Sequence, residues 1–227
     1  MNSIYRIIIV LIMKTTVIIG AGGFGREVKM LLDHINLVKF EYNFIGFYDD
    51  GIDIGSEING SKVLGNIKDL SKVEQEICVI LAVAFPTTKL EILRKLNKSN
   101  FVFPTLIHPS VILGTDNVIF GRGSIICAGC IITCNITIEE FVILNLSCTI
   151  GHDTVIKSFC SIMPCVSISG EVLVCENVYI GTGVKVINQV EIGRKTIVGA
   201  GAVVSKSLPE NCTAVGIPAK PIKFHDK

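Results

Sequence analysis

The chain has 227 residues, 49% of them hydrophobic, with 21 basic residues against 20 acidic ones and no tryptophan. That length and apolar content suit two packed domains, and a net charge of +1 gives no electrostatic ground for nucleic acid or an anionic membrane surface as a partner. Nine cysteines, irregularly spaced, favour a reducing cytoplasm over a secreted disulfide framework.

The first thirteen residues end in an apolar run, residues 7–13. It is far shorter than the roughly 20 residues that cross a bilayer and lacks a small-residue cleavage site. Residues 1–13 are therefore read as an extension, without stable membrane insertion. A buried strand is expected over 16–19, followed at once by Gly20, Gly22 and Gly25 in a G-x-G-x-x-G pattern and a helix over 26–34. Such glycines allow a tight turn and close backbone approach to a phosphate or sugar at a helix N-terminus. The same spacing also arises where a strand merely turns tightly into a helix. A second strand, 44–48, ends in Asp49 and Asp50, either polar ligand contacts or a plain acidic turn. A strand over 77–82, a helix over 88–96 and a short strand over 101–103 complete a Rossmann-like α/β half-domain, residues 14–107. One mononucleotide half without its second favours a mononucleotide or nucleotide-linked sugar over NAD.

From Phe120 to Val204 every sixth residue is aliphatic or aromatic, fifteen times in succession. Two places before each stands a smaller or β-branched residue, among them Ser124, Cys130, Cys148, Thr154, Cys160 and Ala202. Neither a helical period nor a strand period yields a repeat of six unless the chain turns at a fixed interval. A β-helix of hexapeptide repeats does so, three blocks closing a triangular coil whose two apolar positions point inward. The β-helix domain is set at 108–210 and a C-terminal tail at 211–227.

This register places three cysteines in the core. Cys127, Cys130 and Cys134 offer a C-x-x-C with one neighbour, but no second pair or nearby histidine completes a zinc site, so no metal is expected. Only His152 of the four histidines falls within the repeats, at a corner and followed by Asp153. A carboxylate beside imidazole can set its tautomer and orientation, and imidazole can take a proton near neutral pH. A metal-dependent hydratase on this scaffold needs three histidine ligands, which the repeats do not supply.

Four runs carry a resemblance: residues 17–28 (VIIGAGGFGREV), 143–157 (ILNLSCTIGHDTVIK), 197–204 (IVGAGAVV) and 215–220 (VGIPAK). In order and spacing the chain resembles the bacterial sugar acetyltransferases of the NeuD and PglD type over residues 14–223. The resemblance implies a left-handed parallel β-helix, a cytoplasmic homotrimer, and acetyl-CoA as co-substrate. The acceptor it implies is a nucleotide-activated sugar, commonly the 4-amino group of a UDP-linked deoxysugar, or a sialic acid hydroxyl in the NeuD branch, for surface glycan synthesis. On this chain His152 matches the general base, Asp153 the acid that orients it, and Asn145 a polar active-site residue. Gly170 matches the glycine whose N–H meets the thioester carbonyl, while Ala200 and Gly201 match the backbone lining the coenzyme arm. Ser161 stands where some relatives carry a second histidine near the acetyl group, and Lys220 is either a contact to coenzyme phosphate or a solvated tail lysine. Gly20, Gly22, Gly25, Asp49 and Asp50 match the nucleotide-sugar pocket. The competing class is a non-catalytic trimeric scaffold that binds a nucleotide sugar, which the intact His152–Asp153 pair disfavours.

Overall fold

The computed structural model describes residues 13–96 and 99–225, so the expected extension over 1–13 lies outside them except for Met13. The chain divides into two compact units. One reaches to Ala84 and takes in Thr88–Pro104, and the other holds Phe85–Thr87 and everything from Thr105 onward.

The first unit is built on strand β1 (Lys14–Ile19), helix α1 (Gly23–Val38), strand β2 (Tyr42–Tyr48), the pair β3 (Glu57–Ile58) and β4 (Ser61–Gly65), the one-turn helix α2 (Ile67–Leu70), strand β5 (Ile77–Leu81), helix α3 (Pro86–Lys95) and strand β6 (Phe101–Val102). The sheet order is β3-β4-β2-β1-β5-β6, and each neighbouring pair is parallel except β3 with β4. All of β5 and the last four residues of β1 are buried, as parallel strands covered on both faces must be. The β3–β4 hairpin and α2 were not expected. Their signals are present nonetheless: Asn59 and Gly60 form the turn with φ +47° and +76°, the left-handed pair that hairpins prefer. Asn66 caps α2, accepting from the Asp69 N–H at 3.0 Å while Asp69 accepts from the Asn66 N–H at 3.4 Å. With β2 on one side of β1 and β5 on the other, strand order reverses between β1 and β5, where α/β sheets bind ligands.

The second unit is a left-handed parallel β-helix with three faces. Its two-residue strands pair with those of the next coil eighteen positions on, as Ile125 does with Ile143 and Thr149 with Ser167. Both inward positions of the repeat form one continuous core from Ile126 to Ala214. Cys130, Cys148 and Cys160 are fully buried in it. Each corner carries a residue with positive φ, at every sixth position from Asn117 to Gly201. Only four of those fifteen are glycine; the others include Asp153, Phe159, Glu171 and Lys195, and none is β-branched. A left-handed residue is costly for a branched side chain, so the corners exclude Val, Ile and Thr while the strands collect them.

The solenoid extends beyond the strict repeat at both ends. Ile126 pairs with Ile107 and Ile132 with Leu113, nineteen positions apart; one extra residue before Asn117 breaks the period and hid the first two strands. At the other end Val198 pairs with Ala214 and Ile192 with Leu208, sixteen apart. A final strand, Lys220–Phe224, runs antiparallel to Cys212–Val215. His108 and His225 therefore also belong to the solenoid unit, where the repeats predicted one histidine, but the His108 Nδ1 is engaged by Ser110, with Oγ at 2.8 Å and the N–H at 3.0 Å, and the His225 Nε2 lies 3.0 Å from the Thr213 Oγ1.

Candidate functional site

Each unit offers its own site. In the α/β unit the glycine turn is tight for two reasons of space. Gly20 has φ +96°, and a Cβ there would meet the Ala82 carbonyl oxygen at 2.8 Å. A Cβ at Gly25 would stand 1.8 Å from the Gly20 carbonyl oxygen, so α1 reaches the turn only without one. Gly22, the residue before α1, opens onto free space. Beside this turn, between the ends of β1, β2 and β5 and helix α3, lies a cavity of about 270 Å³ lined by Gly20, Tyr48, Asp49, Asp50, Glu91 and Lys95 among others.

Both predicted aspartates line that cavity, but much of their hydrogen-bonding capacity is already used. Asp49 accepts from the N–H groups of Ala21 and Gly51, each at 2.8 Å, tying the glycine turn to the end of β2. Asp50 accepts from the Ile67 N–H at 2.8 Å, at the start of α2. Its other oxygen stands 4.0 Å from the Lys95 Nζ. The acidic turn and the cavity wall are thus the same two residues. Three carboxylates against one ammonium make a lining suited to N–H and O–H donors more than to a diphosphate. Glu91 and Lys95, one helical turn apart on α3, were not singled out from sequence; their i, i+4 spacing beyond β5 is the signal available.

In the β-helix, His152 follows the strand Thr149–Ile150 and projects at a corner. The His152 Nδ1 and Asp153 Oδ2 are 2.7 Å apart, with side chains 56% and 49% exposed. Asp153 is the left-handed corner residue, φ +58°, and this turn of the backbone brings adjacent side chains to one side. Hydrogen bonds from His152 and from the Asn135 amide, the latter 3.0 Å to Oδ1, hold the Asp153 carboxyl below the ordinary carboxylate range. With Asp153 ionised, Nδ1 must carry the ring hydrogen, which leaves Nε2 as the acceptor. Gly170 lies one coil on. A Cβ there would meet His152 Cε1 and Nε2, each at 2.5 Å, so the imidazole rests against a backbone that must be glycine. The Gly170 N–H donates to no other backbone group among the described residues.

The remaining predicted residues sit elsewhere on the prism. Asn145, Ala200 and Gly201 lie along a different edge, between the face of Ile143 and Ile197 and the face of Thr149 and Val203. Six residues at about 3.3 Å each make one side of the coil on the order of 15–20 Å, too far for one reacting centre to touch both edges of one chain. Ala200 and Gly201 are exposed, whereas Asn145 is 6% exposed and accepts from the Leu146 N–H at 2.7 Å. Ser161 is fully buried in the strand Ser161–Ile162. As placed it leaves no hydroxyl open to a coenzyme, so the expectation drawn from its position is revised. Lys220 is exposed at the start of the antiparallel strand.

Cys148 is no candidate nucleophile. Cys148 is fully buried, its thiol 3.2 Å from the Met163 carbonyl oxygen, and hydrogen bonding with Cys130 together with burial pushes that thiol up, away from the reactive thiolate. Among the described residues no group of three or more His, Cys, Asp or Glu could hold a metal ion, and no helix is long and apolar enough to cross a membrane.

Comparison with known proteins covers both units. Residues 16–96 match the family described as PglD N-terminal domain, and residues 171–206 match the bacterial transferase hexapeptide (six repeats). Over 212 residues the chain is 28% identical to the GDP-perosamine N-acetyltransferase of Escherichia coli O157:H7, covering 91% of this chain and 95% of that protein. The acetyltransferase domain of PglB from Neisseria gonorrhoeae FA1090, solved in complex with acetyl coenzyme A, is 31% identical with a TM-score of 0.84, over 92% of this chain and 100% of that one. PerB from Caulobacter crescentus, solved with CoA and GDP-perosamine, is 28% identical with a TM-score of 0.82, over 92% and 97%.

Proposed function

Because this chain belongs to the NeuD/PglD-type bacterial sugar acetyltransferases, and is an acetyl-CoA-dependent enzyme, we propose that it acetylates the amino group of a nucleotide-linked amino deoxysugar with His152 as the general base. The observation that carries this reading is the exposed His152–Asp153 pair seated against Gly170. The tautomer that Asp153 favours leaves Nε2, beside Gly170, as the acceptor to which an attacking amine would deliver its proton. In the step proposed, the amine lone pair forms the C–N bond to the acetyl carbonyl carbon and the C–S bond breaks. The proton from nitrogen passes to His152 Nε2 and from there to the departing coenzyme thiolate. The Gly170 N–H would donate to the oxygen that gains charge in the transition state. No acyl-enzyme is needed, because both substrates are held together.

Recognition of the nucleotide's base and ribose, whose N–H and O–H groups suit the lining carboxylates, is assigned to the cavity beside the glycine turn in residues 14–107, and transfer to the solenoid of residues 108–210. A UDP-linked 4-amino deoxysugar is the first acceptor to try. GDP-linked perosamine, named for relatives in E. coli and Caulobacter, is the second. A homotrimer is the assembly this reading calls for, and the two separated edges support it: His152 and Gly170 on one chain would meet Asn145, Ala200, Gly201 and Lys220 of a neighbour across a shared cleft, with Ala200 and Gly201 along the coenzyme arm and Lys220 near its phosphates. A cytoplasmic location agrees with nine free cysteines and with where acetyl-CoA and nucleotide sugars are made.

The decisive experiment is a thiol-release assay with acetyl-CoA against UDP-, GDP- and dTDP-linked amino sugars and sialic acids, run on wild type and His152→Ala. One amino sugar should be turned over, and the substitution should lower kcat by roughly 10²- to 10⁴-fold. Turnover that survives the substitution at near wild-type rate overturns the base. An alkali-labile product by mass spectrometry would mean ester formation, and binding without thiol release would mean a scaffold.

A further inference from the structure

Three residues stacked at one corner of the β-helix continue beyond the pair that the chemistry uses. The Asn117 Nδ2 donates to Asn135 Oδ1 at 3.1 Å, and the Asn135 Nδ2 donates to Asp153 Oδ1 at 3.0 Å. The Asp153 Oδ2 in turn engages His152 at 2.7 Å. The three corner residues have φ of +52°, +55° and +58° and are spaced by one coil each.

We propose that Asn135 is a positioning residue for the transfer reaction, locking the Asp153 carboxylate so that its free oxygen holds His152 in the Nδ1–H tautomer. The proposal rests on the reading of His152 as base. Asp153 is half exposed, and a free carboxylate on an exposed corner rotates about its own side-chain bonds and exchanges its two oxygens. An amide fixed on one oxygen removes that freedom. The donor must come from outside the catalytic coil, because Asp153 has only His152 as a side-chain partner within its own coil. Asn117 makes the arrangement directional. By donating to the Asn135 oxygen it fixes which end of that amide is the carbonyl, so the NH₂ end faces Asp153. Asn is one of the few side chains that accepts a left-handed backbone readily, which accounts for an Asn at the corner but not for its hydrogen bond to Asp153.

The backbone preference supplies the control. Asn135→Gly keeps the left-handed corner and deletes only the amide, and Asn135→Asp keeps shape while replacing the donor by a repelling carboxylate. Asn177→Gly removes an asparagine from an equivalent left-handed position, φ +61°, on a different edge. The primary measurement is the long-range ¹H–¹⁵N spectrum of the His152 imidazole in the ligand-free protein, assigned by the peak absent from His152→Ala. Wild type should show the Nδ1–H form, both Asn135 variants a mixture of tautomers, and Asn177→Gly the wild-type spectrum. With acetyl-CoA and the amino sugar turned over in the thiol-release panel, the Asn135 variants should lose kcat on the order of tenfold, as misalignment of a catalytic group does, with KM for both substrates unchanged. A wild-type imidazole spectrum in Asn135→Gly, or a kcat loss equalled by Asn177→Gly, overturns the proposal. Should His152→Ala retain turnover, the base assignment fails by itself, and the spectrum still reads whether Asn135 orders the pair.

Discussion

The two units solve the same geometric problem, turning the backbone sharply, by opposite means. The α/β unit passes from β1 into α1 by a single turn, Gly20–Gly25, that leaves no room for a side chain at its closing position: a Cβ at Gly25 would overlap a carbonyl oxygen. The solenoid turns at every sixth residue and lets Asn, Asp, Phe, Glu, Gln and Lys occupy the left-handed corner. Each such residue costs about 1–2 kcal/mol in backbone strain, distributed over many coils and offset by the buried core between them. A turn repeated many times tolerates ordinary side chains, and so a histidine and its partner can be displayed at one corner without disturbing the architecture. At Gly25 the single glycine turn tolerates none.

That contrast is open to direct attack. The largest effect is expected at Gly25→Ala, which should cost about 4–5 kcal/mol, the tail of single-residue effects. The loss should appear in calorimetry as early melting of the α/β unit with the solenoid transition preserved; a common shift of both would contradict the separation. Next, Ile162→Ala in the solenoid core, fully buried, should cost about 3 kcal/mol in denaturant unfolding. Gly170→Ala should leave the solenoid folded yet displace the His152 ring, lowering kcat about 10- to 100-fold, equivalent to some 1.4–2.7 kcal/mol; unchanged turnover would deny that the ring occupies this place. Lys195→Gly, which relieves a corner at φ +56°, should raise stability by about 0.5 kcal/mol, strain relief being partly offset by the flexibility of unfolded glycine. The smallest effect concerns acid. The Asp153 carboxyl is held low by its two hydrogen bonds, so its contribution is full above the unfolded carboxylate value and disappears only as pH falls through the lower folded one. A ¹³C titration should therefore find its midpoint below that of a free aspartate, and a midpoint at or above it would refute the pairing.

Much of this was legible in the chain before any coordinate. The period of six located the core, consigned Cys130, Cys148 and Cys160 to it and left His152 outside, because inward and outward positions alternate by local geometry alone. It failed at both ends, where one residue inserted before Asn117 and two missing after Val204 shift the pairing to nineteen and sixteen positions. In the α/β unit the Asn59–Gly60 turn and the Asn66 cap announce elements that an apolar-run reading passes over. Asp49 and Asp50 were recognised as candidates, but that their oxygens are tied to the backbone of Ala21, Gly51 and Ile67 is a matter of three segments meeting.

By itself the sequence determined the solenoid, the glycine turn and the identity of the corner histidine, since each is written within a few consecutive residues or a fixed repeat. Only the tertiary structure decided that Gly170 lies under the imidazole, that Asn135 reaches Asp153, that Ser161 is sealed off and that Ala200 stands on another edge from His152. Those relations depend on how eighteen residues close into a coil and on which side chains the next coil brings alongside, and a repeat specifies its own position in the coil without naming its neighbours.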